Sequence, residues 1–133
     1  MAQTRQLAAI MFTDIVGFTA LMGDDEKKAF ELLSKNRNIQ KPIIEQHNGR
    51  WIKELGDGVL ASFNTASDAV NAAMKIQEVC NAAKTFQLKI GIHLGEVVFE
   101  NDDVYGDGVN IASRIETLGV GSSVLLSKSV REC

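Results

Sequence analysis

Two aspartates in this 133-residue chain stand where carboxylates could do chemistry. Asp14 lies in "IMFTDIVGFT", at the end of an apolar run, and Asp57 lies in "KELGDGVL", between two short apolar runs. Each alone has an ordinary explanation. An acid at a strand end accepts backbone hydrogen bonds, and Asp-Gly is a common hairpin turn. The two together change the odds. If the first strand runs beside the later hairpin, both acids reach one edge of a sheet, where they repel unless a cation joins them. Hard oxygen ligands of this kind suit Mg²⁺ or Mn²⁺, above all alongside substrate phosphates. Gly17 follows three residues after Asp14, and the amides of Gly17, Phe18 and Thr19 lead towards a helix in a way that can cradle phosphate oxygens.

A third segment, "DVYGDGVNIASR", places Asn110 and Arg114 four residues apart, hence on one face of a helix. Beside them Ile111, Ile115 and Leu118 recur at helical spacing and are expected to form the core stripe. An arginine beside an asparagine suits phosphoryl transfer, one neutralising developing charge and the other orienting a sugar. His93 has no second His or Cys at ligand spacing and reads as a structural or exposed residue. Trp51 reads as core or interface.

The elements that must position these residues follow from periodicity. Residues 7–14 read as a short, nearly all-apolar strand. Asp24, Asp25 and Glu26 supply acids at a helix start. The helix continues through "KKAFELLSKNRNIQ", is interrupted or kinked near Pro42, and ends around Asn48 and Gly49. "RWIKEL" and "VLASF" are strands joined by "GDG". Residues 66–82 form a helix with Ala66, Ala69, Val70, Ala73, Ile76 and Cys80 on one face. "QLKIGIHLGEVVF" alternates Leu88, Ile90, Ile92 and Leu94 with Lys89, Gly91, His93 and Gly95. Polar "ENDD" leads to a helix at about 108–118, and "SSVLLS" is a last short strand. The order β-α-β-β-α-β-α-β predicts an α+β sandwich of ferredoxin-like type, mostly antiparallel, with helices covering one face.

Composition narrows the partners. With 45% hydrophobic and 23% charged residues the chain is a soluble globular domain, and one domain is expected over 1–133. A net charge of −3 gives no reason to expect nucleic acid, so any anionic ligand needs a local, metal-assisted site. No apolar run approaches the roughly 18 to 20 residues of a membrane span, and "MAQTRQLAA" lacks a signal-peptide core. Cys80 and Cys133 form neither a disulfide framework nor a metal spacing, which favours a reducing cytoplasm.

Taken together, "FTDIVGFT", "KELGDG" and "DVYGDGVNIASR" resemble the class III nucleotidyl cyclase catalytic domain, in the family's order and spacing over residues 12 to 114. "GDG" alone is non-specific; the full set is strong. The resemblance implies that Asp14 and Asp57 bind two metal ions, with the backbone of Ile15 and the amides near Gly17 and Phe18 at the metal and triphosphate. It implies that Lys53 and Asp103 read the purine, and that Asn110 and Arg114 serve the ribose and the transition state. It also implies a homodimer whose active sites are assembled from both subunits, Lys53 and Asp57 of one chain serving opposite sites. A lysine donor and an aspartate acceptor complement N1 and the 6-amino group of adenine, whereas guanine reverses that pattern, so ATP is the expected substrate. The expected activity is adenylate cyclase, forming 3′,5′-cyclic AMP and pyrophosphate. The family domain usually continues for some tens of residues past "SSVLLSKSVREC", adding a strand and often a lysine near the phosphates. The chain is therefore expected to be a C-terminally truncated catalytic domain. The main rival is a catalytically inactive nucleotide-binding or dimerisation module descended from a cyclase. A phosphorelay receiver domain expects a parallel sheet, against the hairpin "IKELGDGVLASF", and the central signature of a diguanylate cyclase is absent.

Overall fold

The structure, a computed structural model, describes residues 3–132. The chain runs β1 (Thr4–Ile15), α1 (Phe18–Asp24), α2 (Glu26–Gln46), β2 (Arg50–Leu55), β3 (Gly58–Phe63), α3 (Ala66–Ala83), β4 (Leu88–Glu100), β5 (Asp103–Tyr105), α4 (Asp107–Thr117), β6 (Ser123–Leu126) and α5 (Lys128–Arg131). The described strands form one six-stranded sheet in the order β2-β3-β1-β4-β5, with β6 also on β4. Every pairing is antiparallel except β4 with β6. This is the expected α+β sandwich.

Alternation along β1 decides what each face of the sheet buries. Ala9, Met11 and Ile15 join Val59, Ala61 and Phe63 of β3 and Leu88, Ile90 and Ile92 of β4 in the larger core. Phe18, Ile43, Ile44 and an alanine-rich face of α3 cover it, and the small side chains let that helix lie close to the strands. Ala8 and Ile10 face the other way, into a smaller core with Leu60, Val97, Val104 and Ala112 of α4. The helices thus occupy both faces, not the one expected, because the polar register of β4 is a seat for α4.

Three elements are absent from the expected order. α1 follows Gly17 directly and stops at Asp25, whose side chain caps α2 by accepting from the Lys28 N–H at 3.1 Å. The "ENDD" segment is a two-residue hairpin, with Asn101 and Asp102 at φ 52° and 64°, and it returns the chain as β5. α5 follows β6 as one short turn of helix. α2 also runs unbroken through Pro42. Pro42 and Asn38, whose carbonyl loses its helical donor there, both face solvent, where water can satisfy the carbonyl.

No helix among the described residues is long and apolar enough to cross a membrane. Cys80 is a free buried thiol; Cys133, the other half of the cysteine argument, lies outside the described residues, as do Met1 and Ala2 of the N-terminal segment.

Candidate active site

The strand pairing brings Asp14 and Asp57 together. β1 pairs with β3 up to Thr13 opposite Val59, and Leu55 faces Gly58, so the Gly56-Asp57 turn abuts the end of β1. Gly56 has φ 63°, the left-handed conformation this turn requires. The Ile15 N–H donates to Asp57 Oδ2 at 3.0 Å and ties the turn to the strand. Half-buried, the two carboxyl groups act on each other. Burial and then the neighbouring Asp14 carry the Asp57 carboxyl from 3.8 up to about 6. Burial, followed by other contributions of both signs, also raises Asp14: Glu116 raises it further, while Asp57 and Lys89 oppose the rise. Below about pH 6 the like-charged pair in effect shares one proton. Oxygen donors in such an arrangement fit a hard divalent cation. Among the described residues no three of His, Cys, Asp or Glu are grouped so as to hold a metal ion.

Behind Asp14 the strand is anchored by a polar network inside the core. Gln40 donates to Thr13 Oγ1 at 3.0 Å and to Asn36 Oδ1 at 2.6 Å, and Thr13 Oγ1 also lies 3.2 Å from Gln40 Oε1. All three residues are essentially inaccessible to water. A buried network with its partners satisfied fixes register, and here it fixes the residue before Asp14 against α2.

Gly17 lies just beyond, at φ 74° and ψ 13°, capping α1. Apart from its two chain neighbours, no described residue has an atom within 4 Å of where its Cβ would be, so the glycine serves the backbone conformation and leaves the space outside it open. Phe18 plugs the core and Thr19 is exposed, so one side chain anchors the turn while its neighbour faces solvent.

Lys53 and Asp103 meet although β2 and β5 lie at opposite ends of the strand order. The β4–β5 hairpin comes over towards β2, and the Arg50 guanidinium of β2 sits 5.0 Å from the centre of the Phe99 ring of β4, a second contact between that hairpin and β2. Lys53 Nζ is 3.1 Å from the Asp103 carboxylate. That carboxylate also accepts from the Val104 N–H at 2.7 Å. The backbone donor first, and then Lys53, hold its carboxyl below the usual range.

α4 sits differently from the sequence expectation. Gly108, Ala112 and Glu116 are its buried residues, while Ile111 and Ile115 are half-buried and Leu118 is 78% exposed. The Ile111/Ile115/Leu118 stripe is therefore not the core face. Small residues pack there instead because the strand beneath is paved with glycine. A Cβ at Gly91 would lie 2.7 Å from the Glu116 Cα, and one at Gly108 2.8 Å from the Glu96 carbonyl oxygen. Asn110 and Arg114 share the exposed side of α4, as expected.

The family model for the adenylate and guanylate cyclase catalytic domain matches residues 1–133. The chain belongs to that family. It is 38% identical over 136 residues to a putative adenylate cyclase 3 of Rhizobium meliloti (strain 1021), covering 96% of this chain and 23% of that protein. It is 32% identical over 126 residues to an adenylate cyclase of Streptomyces coelicolor, covering 93% and 33% respectively. The chain thus spans a quarter to a third of the length of these relatives. A crystal structure of an adenylate/guanylate cyclase/hydrolase from Silicibacter pomeroyi superposes with a TM-score of 0.91 at 32% identity, over 98% of this chain and 81% of that one.

Within this cyclase domain, three residues beside the acids escaped the sequence reading. Gln40 looks like an ordinary helix-surface residue until the fold buries it. Glu116 sits two positions past Arg114, where a charge on a helix ordinarily faces solvent. Lys89 is the polar member of an alternating strand. The usable signal was Gly91 and Gly95 flanking His93, which mark a strand face approached closely by backbone. His93 is half-buried, its Nδ1 2.8 Å from Ser127 Oγ, and burial lowers its pKa. That agrees with a structural role.

Proposed function

We propose that the chain is the catalytic domain of a class III adenylate cyclase, forming 3′,5′-cyclic AMP and pyrophosphate from ATP at sites shared by two copies. The convergence of Asp14 and Asp57 at one sheet edge, with Ile15 N–H holding Asp57, carries this reading. Asp14, Asp57 and the Ile15 carbonyl would hold two Mg²⁺ or Mn²⁺ ions, which when bound lower the pKa of the ribose 3′-hydroxyl and neutralise triphosphate charge.

Lys53 donates to adenine N1, and Asp103 accepts from the 6-amino group. Their mutual 3.1 Å pairing supports a single purine-reading unit. Backbone amides at Gly17 and Phe18 meet the phosphates, beside the exposed Thr19. Asn110 orients the ribose, and Arg114 stabilises charge accumulating on the α-phosphoryl group. The 3′ oxygen gives up its proton to solvent water and bonds to the α-phosphorus, while the bond from that phosphorus to the bridging oxygen breaks and pyrophosphate leaves. Positioning supplies most of the acceleration.

α4 supports the second copy. Glu116 turns inward on the helix face that packs on the chain's own sheet, and at 3.6 residues per turn Arg114 points about 200° away from it. Asn110 and Arg114 are thus exposed and presented away from the chain's own acids, which supports a symmetric homodimer with two composite sites. With ATP as substrate, the cytoplasm is the compartment we assign.

The test is cyclic nucleotide formation by purified protein with Mn²⁺, offering ATP and GTP in parallel, with oligomeric state measured on the same sample. Cyclic AMP as the main product of a dimer is expected. No turnover of either nucleotide by a folded dimer would overturn catalysis, and preferred GTP turnover would overturn the base assignment.

A further inference from the structure

Three charged side chains meet on the α4 side of the sheet, and only Asp14 among them has been given a role. Lys89 is the direct cross-strand partner of Asp14 in the β1–β4 register, so both side chains project from the same face. Glu116 descends on them from α4. It is only 5% exposed because Gly91 lets the helix backbone rest on β4. Its Oε2 lies 3.9 Å from Lys89 Nζ, with the lysine side chain itself only 26% exposed.

Glu116 also lies against Asp14 and raises its carboxyl, and the lysine faces both carboxylates, one across the strand and one above it. An ammonium group settled on Asp14 would compete with a divalent cation for the same oxygen atoms. A buried carboxylate on α4 gives it another partner. The arrangement is more than a fastening for α4, since the glycine bed and Ala112 already seat that helix without charge.

We propose that Glu116 is a positioning residue that holds the Lys89 ammonium off Asp14 and so keeps that carboxylate available to a divalent cation. The proposal rests on the reading of Asp14 and Asp57 as the metal acids. Partners one layer out from a metal ligand commonly change affinity by about 10- to 100-fold. Here the effect is expected at the lower end, because Glu116 acts on the cation only through its neighbours, Lys89 and Asp14.

The experiment is Mn²⁺ binding to the purified chain without nucleotide, followed by electron paramagnetic resonance of the free ion. Glu116→Gln keeps the shape and removes the charge, and it should weaken Mn²⁺ binding about tenfold. Adding Lys89→Met to Glu116→Gln should restore most of that affinity, since the competing ammonium is gone. A purely structural ion pair predicts the opposite, because the double variant lacks the pair as fully as the single one. Unchanged affinity in Glu116→Gln, or no recovery in the double variant, overturns the proposal. Should Glu116→Gln not fold, Lys89→Met alone decides: Mn²⁺ binding retained or tightened supports the proposal, and weakened binding overturns it. Asp57→Ala is the control for the underlying reading. If it binds Mn²⁺ as the parent does, the metal assignment itself fails and the proposal falls with it, a result distinct from the others.

Discussion

Two pairs of polar residues flank the proposed nucleotide, and they are poised in opposite ways. Asp14 and Asp57 are half-buried and of like sign, and both carboxyl groups are raised. Lys53 and Asp103 are of opposite sign, over 40% exposed in their side chains, and satisfied by each other. The first pair is frustrated until a cation arrives. The second is complete until a purine opens it. Binding energy should therefore come mainly from the acid end, and discrimination between bases from the other.

The largest expected effect comes from breaking the frustrated pair. Asp57→Ala should reduce Mn²⁺-dependent turnover to background, because a single carboxylate cannot hold the metal pair. The fold should survive with melting at neutral pH little changed, since the substitution relieves repulsion but also removes the hydrogen bond from the Ile15 N–H. Near-normal turnover by the folded variant would rule out the role.

Changing the satisfied pair should alter selectivity more than rate. Lys53→Glu combined with Asp103→Cys suits guanine's reversed pattern, and should lower the preference for ATP over GTP about tenfold or more. Competition assays with both nucleotides measure it, and an unchanged ratio would place base reading elsewhere.

Protonation sharpens the contrast further. Asp57 takes up its proton more readily in the folded, metal-free chain than when unfolded. Its contribution to stability is therefore fully present below pH 3.8 and is lost as pH rises through about 6. Relative to Asp57→Asn, the metal-free parent should lose melting temperature between about pH 4 and 7. Mn²⁺ must displace the shared proton, so its affinity should fall several-fold below about pH 6. Affinity independent of pH from 5 to 8 would contradict the shared proton.

The smallest effect should be on stability at the base-reading end. Lys53→Ala breaks an exposed ion pair and should change unfolding free energy by no more than about 1 kcal/mol. A loss several times larger in denaturant melts would mean that the pair holds the β4–β5 hairpin down.

How much of this was legible in the sequence differs between the same two regions. The hairpin carrying Asp57 and the strand ending in Asp14 were legible, because alternation, Asp-Gly and an apolar run are local signals. The pairing of Lys53 with Asp103 had no local signal: it depends on a hairpin at Asn101-Asp102 that reads only as a polar stretch, and on that hairpin coming over towards β2. Only family resemblance linked them. α4 was located correctly, yet its buried face was misjudged. Hydrophobicity selected Ile111, Ile115 and Leu118, whereas packing against Gly91 selected Gly108, Ala112 and Glu116. The buried Gln40–Thr13–Asn36 network was invisible for a related reason, since a polar residue on a helix reads as surface until something covers it.

The central claim is that the acids of one chain work with Asn110 and Arg114 of another. The most direct measurement mixes two inactive proteins, Asp57→Ala and Arg114→Ala, and assays cyclic AMP with Mn²⁺ while heterodimers are quantified. One of the two sites in each heterodimer then contains only intact residues, so activity should return towards half that of the parent, in proportion to the heterodimers formed. Demonstrated heterodimers that make no cyclic AMP, beside a parent that does, would contradict the composite site.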